Sequence, residues 1–226
     1  MTRLEPIQKP CGQCGALWHG VALLSTIGMS ADLDTRPHGM ARSTLDYQVQ
    51  RCLACGYCAA DLSQTPSSAA RQRMGNPDYL AQLNDPAYPS LANAFLCQAL
   101  LHQSDGQPGA TLTVLLSAAW VCDDAEAGEA ARQCRGRAIE LLGRPDLPDS
   151  EFFPEPAGDF AGQRDLLLSD LLRRAERFAE GQDVVAQGLA IAQKAHIRRL
   201  LRFEQHLMAN GETGARRIAD GAAFEA

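Results

Sequence analysis

The sequence predicts a mainly α protein in which a small β unit near the N-terminus precedes a larger domain of helical hairpins. Three observations lead there. Two C-x-x-C-G stretches, Cys11-Gly12-Gln13-Cys14-Gly15 and Cys52-Leu53-Ala54-Cys55-Gly56, lie early in the chain. From Tyr79 onward Ala, Leu, Arg and Glu are plentiful and β-branched residues sparse, which favours helix. With 226 residues and 46% hydrophobic content, the chain can bury a core in one medium domain or in a small and a larger one.

The cysteine pairs predict a bound metal. Two thiolates held two residues apart grip one tetrahedral ion, and two such grips complete its shell with no position left for substrate. The expected ligands are Cys11, Cys14, Cys52 and Cys55, the expected ion is zinc, and its role is structural. A glycine after each pair suits a chain that folds back tightly around an ion, because a residue without Cβ accepts positive φ. Between Cys14 and Cys52 stand 37 residues, more than a compact ribbon needs, so a loop is expected over 29–43, rich in Asp, Gly, Pro and Ser.

Around the knuckles the expected elements are β-strands. Leu45, Tyr47 and Val49 alternate with polar neighbours in the period of a half-buried strand, and a matching segment is expected over 17–24. Two strands alone are marginal, so the metal must contribute much of the folding free energy of this ribbon. The expected domains are a split zinc ribbon over 1–65, a connector over 66–77, a tetratricopeptide-like helical domain over 78–210 and a C-terminal tail over 211–226. A helical turn is expected at 69–74.

Helices are expected near 90–104, 110–123, 125–142, 161–179 and 182–209. Ser90 and Asp165 suit first turns, while Gly143 and Pro145 end the third helix ahead of a proline-rich loop over 143–158. Small residues repeat at spacings of twelve and seven: Ala119, Ala131 and Ala138, then Ser169, Gly181 and Gly188. Antiparallel helices that pack closely need small residues where their axes approach, which is the logic of the tetratricopeptide hairpin. Leu115, Cys122, Leu172 and Phe178 would add larger core contacts.

The remaining cysteines and the two histidines nearest the pairs allow other chemistry. Cys58 makes Cys52-x-x-Cys55-x-x-Cys58 a triplet, a spacing that also holds iron–sulfur clusters. Cys55-Gly56-Tyr57-Cys58 alone resembles a redox dithiol, but no βαβ pattern surrounds it. His19 and His38 lie near enough in sequence to replace a thiolate. Cys97, Cys122 and Cys134 sit among Ala and Leu as buried small hydrophobes. Trp120 suits a core position, and Trp18 a place beside the ribbon. No G-x-S-x-G elbow, phosphate loop or H-E-x-x-H helix occurs, and Asp123, Asp124 and Glu126 suit a solvated helix start.

Charge argues against a protein that coats nucleic acid. The net charge is −6, and only residues 1–75 lean basic, with seven Arg and Lys against five acids; 76–226 carry fourteen against twenty-two. No run of eighteen apolar residues and no signal-peptide pattern is present, so a cytoplasmic location without membrane attachment is expected.

The run Cys11-Gly-Gln-Cys14-Gly, the polar loop with Asp32 and Asp34, and Tyr47-x-Val49-x-x-Cys52-x-x-Cys55-Gly56-Tyr57 resemble a family of uncharacterised bacterial proteins. That family, known as a domain of unknown function, joins a split zinc ribbon to tetratricopeptide-like helices. The specific part of the resemblance is 11–60, and it implies Cys11, Cys14, Cys52 and Cys55 as ligands. This chain departs from the family in having Gly12 and Leu53 where proline is common, and Cys58 where a small apolar residue is usual. The resemblance implies no reaction. The expected function is that of a non-enzymatic adaptor with a protein partner; the alternatives are a nucleic-acid-binding regulator and an iron–sulfur or thiol-redox protein.

Overall fold

A computed structural model describes residues 2–153 and 161–224. The chain is mainly α, with small β-hairpins near the N-terminus and then antiparallel helices, as the sequence predicts. Among the described residues six strands run as β1 (Arg3–Pro10), β2 (Leu17–Ser25), β3 (Gly28–Ala31), β4 (Pro37–Gly39), β5 (Gln50–Arg51) and β6 (Cys58–Ala59). They pair only as neighbours: β1 with β2, β3 with β4, β5 with β6. The helices are α1 (Ser68–Met74), α2 (Pro77–Leu83), α3 (Ser90–Ser104), α4 (Pro108–Asp124), α5 (Gly128–Leu142), α6 (Gln163–Arg174), α7 (Phe178–Ile191), α8 (Ala195–Ala209) and α9 (Ile218–Ala222). Two compact units result, one of residues 1–28 and 39–131, the other of 29–38 and 132–226.

In the first unit β1 and β2 form an antiparallel ribbon with Lys9 opposite Trp18 and Pro10 opposite Leu17, which delivers the chain into and out of the first cysteine pair. The segment expected as a strand over 45–49 is instead the end of a 3-10 helix, Met40–Tyr47, and only Gln50–Arg51 is extended. Alternation misled because Leu45 is buried from the end of that helix and Val49 from the irregular residue just ahead of β5, so the two share burial without sharing a strand. The region after the second pair is not bare connector. Ser67 caps α1 by accepting a bond from the Ala70 N–H (3.0 Å), Pro77 opens α2, and both helices pack on α3. α3 then packs along α4, with Phe95, Leu96, Leu115 and Ala118 buried and Trp120 in the core.

The second unit is built on α6, α7, α8 and α9. Its core holds Leu166, Val185, Ile197, Leu200, Leu201, Phe203, Leu207 and Met208, together with Leu33 from the segment expected as an inserted loop. Leu33 also donates its N–H to the Arg216 carbonyl (2.9 Å), and Asp32 bridges to Arg217. The stretch between the two cysteine pairs is therefore in part a core element of this unit. The long helix expected over 182–209 is two helices, because residues 192 and 194 are extended (ψ 122° and 127°). The expected close approaches occur: a Cβ on Gly181 would stand 2.5 Å from Met208 Sδ and 3.5 Å from Leu172 Cβ, and one on Gly188 2.8 Å from Asp165 Cβ. Of the loop expected over 143–158, residues 143–153 are turns with a short 3-10 segment, Asp149–Glu151; residues 154–158 lie outside the described residues. The tail expected over 211–226 contains α9, and residues 225 and 226 are likewise outside.

Candidate metal centre

Each cysteine pair sits in the same small turn. In the first, the Cys11 N–H donates to the Ala16 carbonyl (2.9 Å) and the Gly15 N–H to the Cys11 carbonyl (2.7 Å). In the second, the Cys52 N–H donates to the Tyr57 carbonyl and the Gly56 N–H to the Cys52 carbonyl, both at 2.8 Å. Gly15 and Gly56 have φ of 76° and 77°, the left-handed region that a side chain resists. Sequence-identical positions thus produce one backbone shape twice, and each turn places two sulfurs on the same side.

The two turns face one another. Cys11 Sγ lies 3.8 Å from Cys55 Sγ and Cys14 Sγ 3.7 Å from Cys52 Sγ, and all four sulfurs lie within 4.8 Å of one another. A tetrahedral shell with metal–sulfur bonds of about 2.3 Å has sulfur–sulfur edges of about 3.8 Å. The four thiols therefore fit one tetrahedral ion. A cluster, in which sulfides separate several irons, needs its thiolates farther apart. Cys11 and Cys52 are buried, Cys55 is half-buried and Cys14 is exposed.

Further contacts lock the turns. The Gly12 N–H donates to the Leu62 carbonyl (2.7 Å), Lys9 Nζ reaches Asp61 Oδ1 (2.5 Å), and the Tyr79 hydroxyl donates to the Gly56 carbonyl (2.9 Å). Arg51 donates to the Leu83 carbonyl (3.0 Å) and to Asn84 Oδ1 (2.9 Å), which ties β5 to the end of α2. The crowded thiols do not titrate alike. Burial raises Cys52, but the amides of Cys55 and Ala54 and the neighbouring Cys55 and Cys11 thiols outweigh it and bring its pKa to about 7. Burial, with the other thiols competing for the same charge, pushes Cys55 far up. In the metal-free cage a negative charge thus forms most readily on Cys52, while Cys11 and Cys55 resist ionisation, whereas a dication at the centre would favour thiolates.

Cys58 stays out of the cage. It is fully buried, donates to the Gly56 carbonyl (3.4 Å) and neighbours the thiol of Cys97 on α3, which itself reaches the Tyr79 carbonyl (3.8 Å). Cys55 and Cys58 therefore direct their thiols to different partners. Sequence reading gave no hint of the Cys58–Cys97 pairing, since 38 residues separate them and nothing in either segment marks the contact. Neither histidine joins the sulfurs: His19 Nε2 lies 3.3 Å from Gln8 Nε2, and His38 pairs with Asp32 (2.5 Å) within the second unit. Cys122 and Cys134 are buried, as expected. Asp123 and Asp124 end α4 instead of starting a helix, and Asp124 lies 3.7 Å from Arg42.

No protein-family description, curated protein or solved structure matches the chain. What stands on the chain's own geometry is a four-cysteine cluster beside N-terminal β-hairpins, followed by a helical region. No helix among the described residues is long and apolar enough to cross a membrane.

Proposed function

We propose that this protein is a non-enzymatic adaptor joining a zinc ribbon to helical repeats, in which Cys11, Cys14, Cys52 and Cys55 hold a structural zinc ion and an exposed apolar surface beside them meets another protein. The observation that carries this reading is the closed sulfur cage. Four protein thiols occupy every corner of a tetrahedral shell, so a bound ion keeps no position for substrate or activated water, and its work is to fix the two turns. Zinc is the ion that four thiolates in a tetrahedron hold without redox chemistry. The same cage takes a single iron, which absorbs visible light. Partner contact is supported by large apolar side chains left in water on the first unit: Leu53 between the second pair of cysteines is 90% exposed and Leu17 on β2 57%. The arrangement matches what the resemblance to the uncharacterised bacterial family implies, and a cytoplasmic location suits eight free thiols.

Elemental analysis with an absorption spectrum of anaerobically purified protein tests the metal: one zinc per chain without a visible band is expected, and iron with a visible band overturns it. For the adaptor role, a protein partner retained by the native chain should be lost on Leu53→Asp with Leu17→Asp while the metal stays bound. Turnover of a small substrate by the purified chain would sink that role. The nucleic-acid reading is less well supported, because Arg51 spends its guanidinium on Leu83 and Asn84, and Arg42 faces Asp124.

A further inference from the structure

A cavity of about 580 Å³ opens beside the first two turns of α8, and Ala195, Arg198, Arg199, Arg202, Ala222 and Phe224 line it. Three guanidiniums gathered on one short stretch of helix repel one another. Among the described residues none of the three is paired with a carboxylate. Two are instead held by main-chain carbonyls: Arg198 Nη1 donates to Leu189 (3.1 Å) and Ala192 (3.2 Å), and Arg199 Nη1 donates to Ala222 (3.0 Å). A guanidinium carries five N–H donors. Arg198 and Arg199 thus keep Nε and Nη2, and Arg202 keeps its whole fork. This concentration of uncommitted donors is not a by-product of a basic surface, since residues 76–226 carry fourteen Arg and Lys against twenty-two acids.

We propose that this cavity binds a small ligand through a phosphate or pyrophosphate group. Guanidinium forks match tetrahedral oxyanions, and a multiply charged anion with several oxygens can engage three of them at once, which one carboxylate cannot. The trio spans five residues of helix, roughly 6 Å of rise, the size of one or two phosphoryl groups and much shorter than a tract of nucleic-acid backbone. Ala195 and Ala222 keep the floor low enough for an anion to reach the guanidiniums. Phe224, whose ring lies 5.4 Å from that of Phe203 and 5.1 Å from that of His206, gives the rest of a ligand an apolar wall. The site lies in the second unit and is independent of the metal centre.

Isothermal titration of the full chain with pyrophosphate and with inorganic phosphate at low ionic strength tests it. Saturable one-to-one binding of pyrophosphate is expected, weakened about tenfold or more by Arg202→Ala, since a charge-assisted hydrogen bond is lost. Arg202 makes no bond that the fold uses among the described residues, and a melting curve matching the native chain's verifies that the variant is folded. An Arg3→Ala control should bind as the native chain does. The proposal is overturned by an absence of saturable binding, or by equal affinity in the folded Arg202→Ala variant. It is also overturned if a 20-base-pair duplex binds in an Arg202-dependent way while pyrophosphate does not, which would make the groove a nucleic-acid contact.

Discussion

Glu126 and Glu176 occupy the same place in two helix–helix turns: each has a left-handed backbone, with φ of 56° and 63°, and each donates its N–H to the carbonyl three residues back. The residue after each then donates to the carbonyl five back, Ala127 to Cys122 and Arg177 to Leu172, both at 2.9 Å. Gly106 and Gly211 fill the identical position after α3 and α8. Glycine enters this conformation freely, while a side chain there costs about 1–2 kcal/mol. Glu126→Gly and Glu176→Gly are therefore expected to stabilise the fold by about 1 kcal/mol each, after the added freedom of the unfolded chain is allowed for. The Arg132 contact to Glu176 at 3.9 Å is exposed and offsets little. Urea denaturation checks this, and lower stability in both variants would refute it.

Those turns also show why legibility from sequence was uneven. A turn closed by Gly106 is visible as punctuation, and one closed by Glu126 is not, yet the helical period on either side located both. The cysteine pairs were fully legible because a metal shell demands fixed residue types at fixed spacing, and the second glycine repeats the first. Leu33 was not. It is one large apolar side chain among Ala31, Asp32 and Asp34, so no periodicity marks it as core, and its burial depends on the core cluster built by residues 166–208 of the second unit. The break between α7 and α8 was equally hidden, since Ala192-Gln193-Lys194 contains no Gly or Pro and the apolar pattern runs on through it.

A buried acid in the second unit gives stability an unusual pH dependence. Arg173 is fully buried between two carboxylates, with Nε on Glu204 (2.8 Å) and Nη2 on Asp170 (2.5 Å), and it also donates to the carbonyls of Glu212 and Gly214. One cation cannot neutralise two carboxylates. Burial, and then the nearby Asp170 charge, raise the Glu204 pKa to about 8 against the pull of Arg173. Protonated Glu204 can donate to Asp170, which would pair Glu204 Oε1 and Asp170 Oδ2, the two oxygens otherwise without a partner. Because the folded state holds this proton and the unfolded state releases it near its ordinary value of 4.5, the contribution is complete below about 4.5 and is lost as pH rises through about 8. Glu204→Gln mimics the protonated acid. Its unfolding free energy should stay flat over that window while that of the native chain falls, and parallel profiles would remove Glu204 as the source.

Metal removal should act on the first unit. Its β-hairpins are two-stranded and half exposed, so the clasp contributes much of their stability. Cys14→Ser and Cys55→Ser are expected to lower metal content below one ion per chain and to raise amide exchange over residues 2–28 and 48–62, leaving α6 to α8 largely protected. Because thiolates and not thiols bind, acidification should release the ion as well. Cys58→Ala is the discriminating control: its sulfur lies outside the cage, so full metal content is expected, with a loss of about 1–2 kcal/mol from the vacated buried site. Loss of the ion in Cys58→Ala would contradict the four-ligand assignment.

The two knuckle glycines separate backbone strain from crowding at one metal site. Both have the same positive φ, so alanine at either position costs about 1–2 kcal/mol through the backbone. Their surroundings differ. A Cβ on Gly15 meets nothing within 4 Å, while one on Gly56 stands 2.6 Å from Leu83 Cδ2, the side chain that closes α2 over the second turn. Gly56→Ala should therefore destabilise more than Gly15→Ala and weaken metal retention further against a competing chelator. Replacing Leu83 by alanine in the Gly56→Ala background removes the clash and leaves the strain. The double variant should lose less than the sum of the two single losses, because Leu83→Ala alone sacrifices packing that Gly56→Ala has already disturbed. Strict additivity would mean that Leu83 moves aside without cost, and that the difference between the two glycines lies in the backbone alone.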